Sequence, residues 1–277
     1  MQAPPWRGLV DRWRTYEALG FDSCWVCDHF VGNDGEPRFE AWTLLAALAV
    51  ATERVRLGTA VTCGTFRHPA VLAKEILTVD HLSGGRLEIG LGAGWWEAEH
   101  AAFGLPFPSP AERVERFRET VEVVDRLLRA GDEPVTYDGR HVELRDAPFR
   151  PAPVQRPRPP LILGAQGPRM LEVVAAHADG WMASFGLSAD EVAARSRLLD
   201  ERLAAHGRDP ATVRRVFLWA PWVQALDPWS SLDAFHDFVG RYREAGVTEF
   251  IFDEPRPEQW ATFERVAREA LPGLRSG

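Results

Sequence analysis

The stretch from Val55 to Glu99 limits the fold more than any other: VRLGTAVTCGTFRHPAVLAKEILTVDHLSGGRLEIGLGAGWWEAE. Val55, Leu57, Ala60 and Val61 form an apolar run that stops at Thr62-Cys63-Gly64. Pro69 suits a first helical turn, where its missing N–H would have no partner anyway. Val71, Leu72, Ala73, Ile76, Leu77 and Val79 then recur at mostly helical spacing up to Leu82. Ser83-Gly84-Gly85 ends that helix, and Leu87, Ile89 and Leu91 alternate as the next strand. Strand, helix and strand in this order make two parallel neighbours joined by a crossover. Parallel strands present the turns at their carboxyl ends to one mouth. Thr62-Cys63-Gly64 and Gly92-Ala93-Gly94 are therefore expected to face a common ligand.

The alternation extends both ways. Trp6, Leu9, Val10, Trp13, Tyr16 and Leu19 form a helical stripe ended by Gly20. A short apolar strand over 21–27 leads to Asp28-His29-Phe30, and a helix follows over 40–52. After Gly94 come a short helix over 95–104, a proline-rich crossing and a helix over 110–130. Ser109 and Glu112 have capping-box spacing at the start of that last helix. A hairpin is expected around Asp138-Gly139, then an extended connector over 148–160. Strands over 161–163, 180–183, 214–219 and 248–252 alternate with helices to the end. Seven strands and one hairpin result, the pattern of a parallel α/β protein. A (β/α)8 barrel puts eight strands in about 250 residues and starts on a strand. This chain of 277 residues starts on a helix. The first strand is thus missing or replaced by residues 2–6, or the sheet is open.

The formal charge of −8, without a Lys/Arg run, argues against nucleic acid or an anionic membrane as the main partner. No long apolar span appears, and the opening MQAPPW has no signal-peptide core, so a cytoplasmic location is expected. Cys24, Cys27 and Cys63 are too few for a disulfide framework and read as buried thiols. His100, His141, His177, His206 and His236 show no metal-ligand spacing, so no metal is expected. Asp80 and His81 read as helix surface. His68, before Pro69, reads as structural or as lying at the edge of a binding site.

The strings GFDSCWVCDHF, EAWTLLAALA, RLGTAVTCGTFRHPAVLAK, LSGGRLEIGLGAGWWEAEHAAFGLPFP and ADGWM resemble the luciferase-like superfamily. They are most similar to its branch of flavin- or coenzyme F420-dependent oxidoreductases. The resemblance covers about residues 15–185 well. It implies a TIM-like (β/α)8 barrel over residues 1–277, with an insertion region at about 95–160 and the family's first strand absent. It also implies FMN or F420 at the carboxyl ends of the strands, hydride transfer or monooxygenation, and a homodimer.

On this resemblance His29 sits at the cofactor ring with Asp28 beside it. An imidazole exchanges a proton near neutral pH, as hydride chemistry on an alcohol or enone requires. Ala60, Val61 and Thr62 match a bulge that props the ring, with a non-proline cis peptide placed at Ala60–Val61. Gly92-Ala93-Gly94 lacks a third glycine and is no dinucleotide fingerprint, but it lets backbone approach the ring or its chain. Trp95 stands where some deazaflavin dehydrogenases of the family carry an acid. That argues against a sugar phosphate and for a bulkier apolar substrate. Glu97 or Glu99 is a candidate replacement for that acid; the preferred reading is of solvated helix-start carboxylates, which the helix dipole favours. Gly164-Ala165-Gln166-Gly167 opening a helix is the expected phosphate cradle, with Arg169 adding charge. Glu40 and Trp42 read equally as pocket wall or helix cap. Trp95, Trp96, Trp219 and Trp222 are expected to wall the substrate. The implied activity is hydride transfer between coenzyme F420 and a small, largely apolar molecule. The alternatives are an FMN monooxygenase fed by a partner reductase, and a non-catalytic flavin-binding barrel.

Overall fold

The computed structural model describes residues 6–32, 35–184, 186–222 and 226–275. Residues 2–5, considered above as a substitute first strand, lie outside these, and Trp6 already belongs to the helix Trp6–Leu19. The strands are β1 (Ser23–Val26), β2 (Arg56–Thr59), β3 (Thr62–Cys63), β4 (Leu87–Gly92), β5 (Val135–Asp138), β6 (Glu143–Ala147), β7 (Leu161–Gly164), β8 (Gly180–Ser184), β9 (Arg214–Trp219) and β10 (Glu249–Phe252). Two compact units divide the chain. One is Trp25–Gly164; the other joins Ala3–Cys24 to Ala165–Gly277.

In the first unit, which holds the second half of β1, the strand order is β1-β2-β4-β7, with β3 also on β4. Pairing is parallel, with Leu57 opposite Leu87 and Ile89 opposite Leu161. All six residues of β4 are buried, as in a parallel strand covered on both faces. Its one charged member, Glu88, pairs with Arg56.

The single strand expected over 55–61 is two. β2 stops at Thr59, the Ala60–Val61 peptide bond is cis, and β3 resumes on β4 with Thr62 opposite Leu91. Local hydrogen bonds account for the break. The Ala60 N–H turns to the Val26 carbonyl at 2.8 Å. The Thr62 hydroxyl donates to Thr59 Oγ1 at 2.8 Å, and that hydroxyl donates to the Gly90 carbonyl at 2.7 Å.

The helix Pro69–Leu82 starts as expected, with His68 Nδ1 accepting from the Ala70 N–H at 3.2 Å. His68 is therefore a helix cap. Asp80, expected on the surface, is fully buried. Its carboxylate accepts from the Val154 N–H at 2.7 Å and from Gln155 N and Nε2 at 3.2 and 2.9 Å. His81 donates to the Ala152 carbonyl and Lys74 to the Arg150 carbonyl. This helix thus ties down the proline-rich connector.

The helix Pro110–Arg129 has half the expected capping box. Ser109 Oγ accepts from the Glu112 N–H, while the Glu112 carboxylate takes Arg116 instead. The hairpin turn is longer than an Asp-Gly pair. Asp138 faces Glu143, and the Gly139 N–H closes a four-residue loop on the Val142 carbonyl. Buried Glu119 holds this loop, accepting from the N–H groups of Arg140, His141 and Val142 at 2.8–3.0 Å. Glu119→Ala strands those donors and is expected to cost about 3 kcal/mol in urea unfolding.

In the second unit β8, β9 and β10 pair in parallel. Their core is aromatic: Phe217 lies against Tyr242, and Trp229 against Phe235, Phe252 and Phe263. Among the described residues no helix is long and apolar enough to cross a membrane, and no cluster of side chains could hold a metal ion. The three cysteines are unbridged.

Candidate active site

The loop after β1 carries Asp28 and His29. Asp28 is buried, and both its oxygens are engaged. Oδ2 accepts from the Cys63 N–H at 2.9 Å and from Arg67 Nη1 at 2.5 Å; Oδ1 accepts from Arg67 Nη2 at 3.1 Å. Asp28 thereby staples the end of β1 to the end of β3. Arg67 also meets Glu40 at 3.1 Å and Glu75 at 3.4 Å. Burial alone would weaken its charge, but the Asp28 hydrogen bonds and the three carboxylates hold its pKa above the ordinary value. Burial pushes the Glu75 carboxyl up, against the pull of Arg67. Glu40 caps the helix Ala41–Ala51, accepting from the N–H groups of Trp42 and Thr43. Burial would raise its pKa, but those bonds and Arg67 keep it low. Of its two readings, helix cap is the one the geometry carries.

His29 has a side chain 23% exposed, so small molecules can reach it. Its Nδ1 lies 2.8 Å from Glu99 Oε2, and Glu99 Oε1 accepts from the Phe30 N–H at 2.7 Å. Glu99 was expected in solvent. It is buried, because the short helix Glu97–Ala102 turns this side chain inward. Trp96, Glu99, His100 and Phe103 fall at i, i+3, i+4 and i+7, an apolar stripe with an acid inside it. That spacing was the available signal. Trp95 and Trp96 stack on each other and meet the His29 ring edge-on, with centroids 5.8 and 5.7 Å away.

His100, in the same stripe, is buried, and its Nδ1 faces the Trp96 carbonyl at 2.8 Å. A carbonyl only accepts, so Nδ1 carries the hydrogen and Nε2 is left to accept from the Thr65 hydroxyl at 2.7 Å. Thr65 Oγ1 then accepts from the Cys63 thiol at 3.1 Å. Burial pushes that thiol up to about 11, with Asp28 and Glu99 adding to the effect against the Thr65 hydrogen bonds. Cys63 is expected to resist iodoacetamide at pH 8 in the folded protein and to label fully in denaturant.

The glycine turns lie on the same rim. A Cβ on Gly92 would stand 2.6 Å from Val61 Cγ2, and one on Gly164 3.4 Å from Val61 Cγ1. Val61 therefore sits against both strand ends, and Ala60, Val61, Ala93 and Gly94 stay half-buried. Gly94 has φ +78°, and a Cβ there would meet Thr65 Oγ1 at 2.7 Å and Cys63 Sγ at 3.1 Å. Thr62 is buried in the hydroxyl chain behind the bulge.

In the second unit, Ala165 is buried and its carbonyl accepts from the Trp181 indole at 2.7 Å. Exposed Gln166 donates to the Ser184 carbonyl. Gly167 caps the helix Pro168–His177 without a side-chain hydrogen bond, and its carbonyl accepts from the Met170 and Leu171 N–H groups at 3.0 Å. Trp219 is buried, with its indole N–H on the Leu226 carbonyl and its ring against Phe252. Trp222 is 58% exposed. Of the four tryptophans expected together, only Trp95 and Trp96 are in ring contact with His29 among the described residues.

The family described as luciferase-like monooxygenase matches residues 1–270. The F420-dependent glucose-6-phosphate dehydrogenase of Beutenbergia cavernae is 32% identical over 313 residues, covering 94% of this chain and 91% of that protein. The solved structure of an F420-dependent secondary alcohol dehydrogenase with an F420-acetone adduct matches with TM-score 0.85 and 22% identity, over 99% of this chain and 96% of that one. The monooxygenase RslO1 of Streptomyces bottropensis matches with TM-score 0.74 and 22% identity, over 97% and 93%. The fold is the TIM-like (β/α)8 type that the resemblance implies.

Proposed function

The chain belongs to the luciferase-like monooxygenase family, and we propose that it is an oxidoreductase exchanging a hydride between coenzyme F420 and a small, largely apolar organic molecule. The observation that carries this reading is a partly exposed His29, held by a buried carboxylate, on the rim that also bears the half-buried Ala60–Val61 bulge. The relatives named for F420 use support the choice of cofactor. The residues fit a flat ring. Gly92 and Gly164 keep the backbone bare beside Val61, where a Cβ on Gly92 would intrude.

Bound F420 would supply the hydride acceptor or donor. The chain's own groups do the rest. Ala60, Val61 and Thr62 back the ring, and Gly92, Ala93 and Gly94 let the main chain lie close to it. Asp28 works through Arg67 and Cys63, fixing the loop that carries His29. His29 takes the proton from a substrate hydroxyl as hydride leaves, or returns it in the reverse direction. Trp95 and Trp96 offer an apolar wall beside that imidazole and no ion to pair with a phosphate. Exposed Trp222, in the second unit, is assigned to substrate contact. Gly164, Ala165, Gln166 and Gly167 are assigned to the anionic tail of the cofactor, at a helix start whose dipole favours negative charge. Glu40 acts through Arg67. Residues 1–277 are read as one functional domain with the insertion at about 95–160, in a cytoplasmic homodimer.

Titration of the purified protein with F420 and with FMN tests the reading. F420 fluorescence is expected to change saturably and FMN fluorescence to stay constant. Binding of FMN alone turns the assignment to a reduced-flavin monooxygenase that needs a reductase. Binding of neither ends both.

A further inference from the structure

We propose that Glu99 is a positioning residue that dictates the tautomer of His29, so that Nε2 is the atom that exchanges the proton. The inference rests on the reading that His29 handles a proton. It adds which nitrogen does so and what decides it.

The Phe30 N–H can only donate, and it points at Glu99 Oε1 from 2.7 Å. The second oxygen, Oε2, lies 2.8 Å from His29 Nδ1. A carboxylate has only acceptors, so it satisfies both neighbours when Nδ1 carries the hydrogen. The neutral imidazole then has its lone pair on Nε2. Free imidazole side chains prefer the opposite arrangement, with hydrogen on Nε2. Glu99 is 2% exposed, and its two bonds reach consecutive residues of one loop. They fix the ring's attitude as well as its tautomer. The rings of Trp95 and Trp96 meet the imidazole edge-on.

The substitution Glu99→Gln makes this reasoning sharp. A glutamine amide has one acceptor and one donor edge. With the Phe30 N–H claiming the oxygen, the NH2 group faces Nδ1, which must then accept. The isosteric change is expected to move the hydrogen to Nε2 and remove the lone pair from the reacting position. Asparagine in place of a triad aspartate acts in this way, with a rate loss of about 10⁴.

The test is ¹⁵N NMR of histidine-labelled protein at alkaline pH without cofactor, with His29 identified by its absence in His29→Asn. The wild type is expected to show hydrogen on Nδ1, and Glu99→Gln on Nε2. Glu99→Asp, which keeps a carboxylate, is expected to retain hydrogen on Nδ1. Wild-type His29 with hydrogen on Nε2 overturns the proposal without reference to any variant. So does an unchanged tautomer in a folded Glu99→Gln. F420 titration of the same samples separates the two questions: lost binding in the wild type sinks the cofactor assignment, while the tautomer result stands alone. With binding intact, Glu99→Gln is expected to lower turnover at least about 100-fold at unchanged cofactor affinity.

Discussion

His29→Asn is expected to bind F420 as the parent does and to lose about 10²–10⁴-fold in turnover, the usual contribution of a positioned general acid or base. Asparagine is chosen because its amide can still donate to Glu99 Oε2, so the buried carboxylate keeps a partner. Stopped-flow reduction or oxidation of F420 on an accepted alcohol gives the rate, and fluorescence titration gives the affinity. Undiminished turnover would remove His29 from the chemistry. Loss of binding at normal single-turnover rate would make it a cofactor contact instead.

The second large effect concerns stability. Gly90→Ala is expected to prevent accumulation of soluble protein, or to cost more than about 4 kcal/mol in denaturant unfolding. A Cβ at this position would lie 1.7 Å from the Thr59 carbonyl oxygen and 2.9 Å from its carbon. Both are main-chain atoms of β2, so no rotamer change relieves the overlap. Gly90 also accepts the Thr59 hydroxyl that begins the chain behind the bulge. Gly240→Ala is the control. It lies in the helix Leu232–Glu244 with nothing within 4 Å of the new carbon. A gain of up to about 1 kcal/mol is expected there from helix propensity. Equal behaviour of the two variants would refute the steric account.

What the sequence disclosed follows a physical division. Strands announced themselves because apolar runs end in glycine, and helix starts because Pro69, Ser109 and Pro168 have few other uses. The cis bond at Ala60–Val61 came only through resemblance; no local pattern in Thr-Ala-Val-Thr demands it. The buried carboxylates were misread. Asp80 and Glu99 look like ordinary helix-surface acids because charge suggests solvent. Yet each interrupts an apolar stripe, Asp80 after Ala73, Ile76 and Leu77, and Glu99 between Trp96 and Phe103. Their partners lie about seventy residues away, at Gln155 and His29. Such partners are invisible to spacing, but an acid on an apolar face is a standing request for one. The fate of Trp219 was equally out of reach. A strand-end tryptophan reads the same whether it lines a pocket or fills a core.

Glu99 and His100 are consecutive, and the short helix aims them at two different clients, the His29 imidazole and the Thr65 hydroxyl. Each residue of a helix advances the direction of its side chain by about 100°. Deleting or inserting one residue between Gly94 and Glu99 would swing both side chains off target together, whatever letters remained. In that turn, length is the fixed quantity and wording the free one. Libraries aimed at new substrates can rewrite Trp95 and Trp96 wholesale, provided they never change the count.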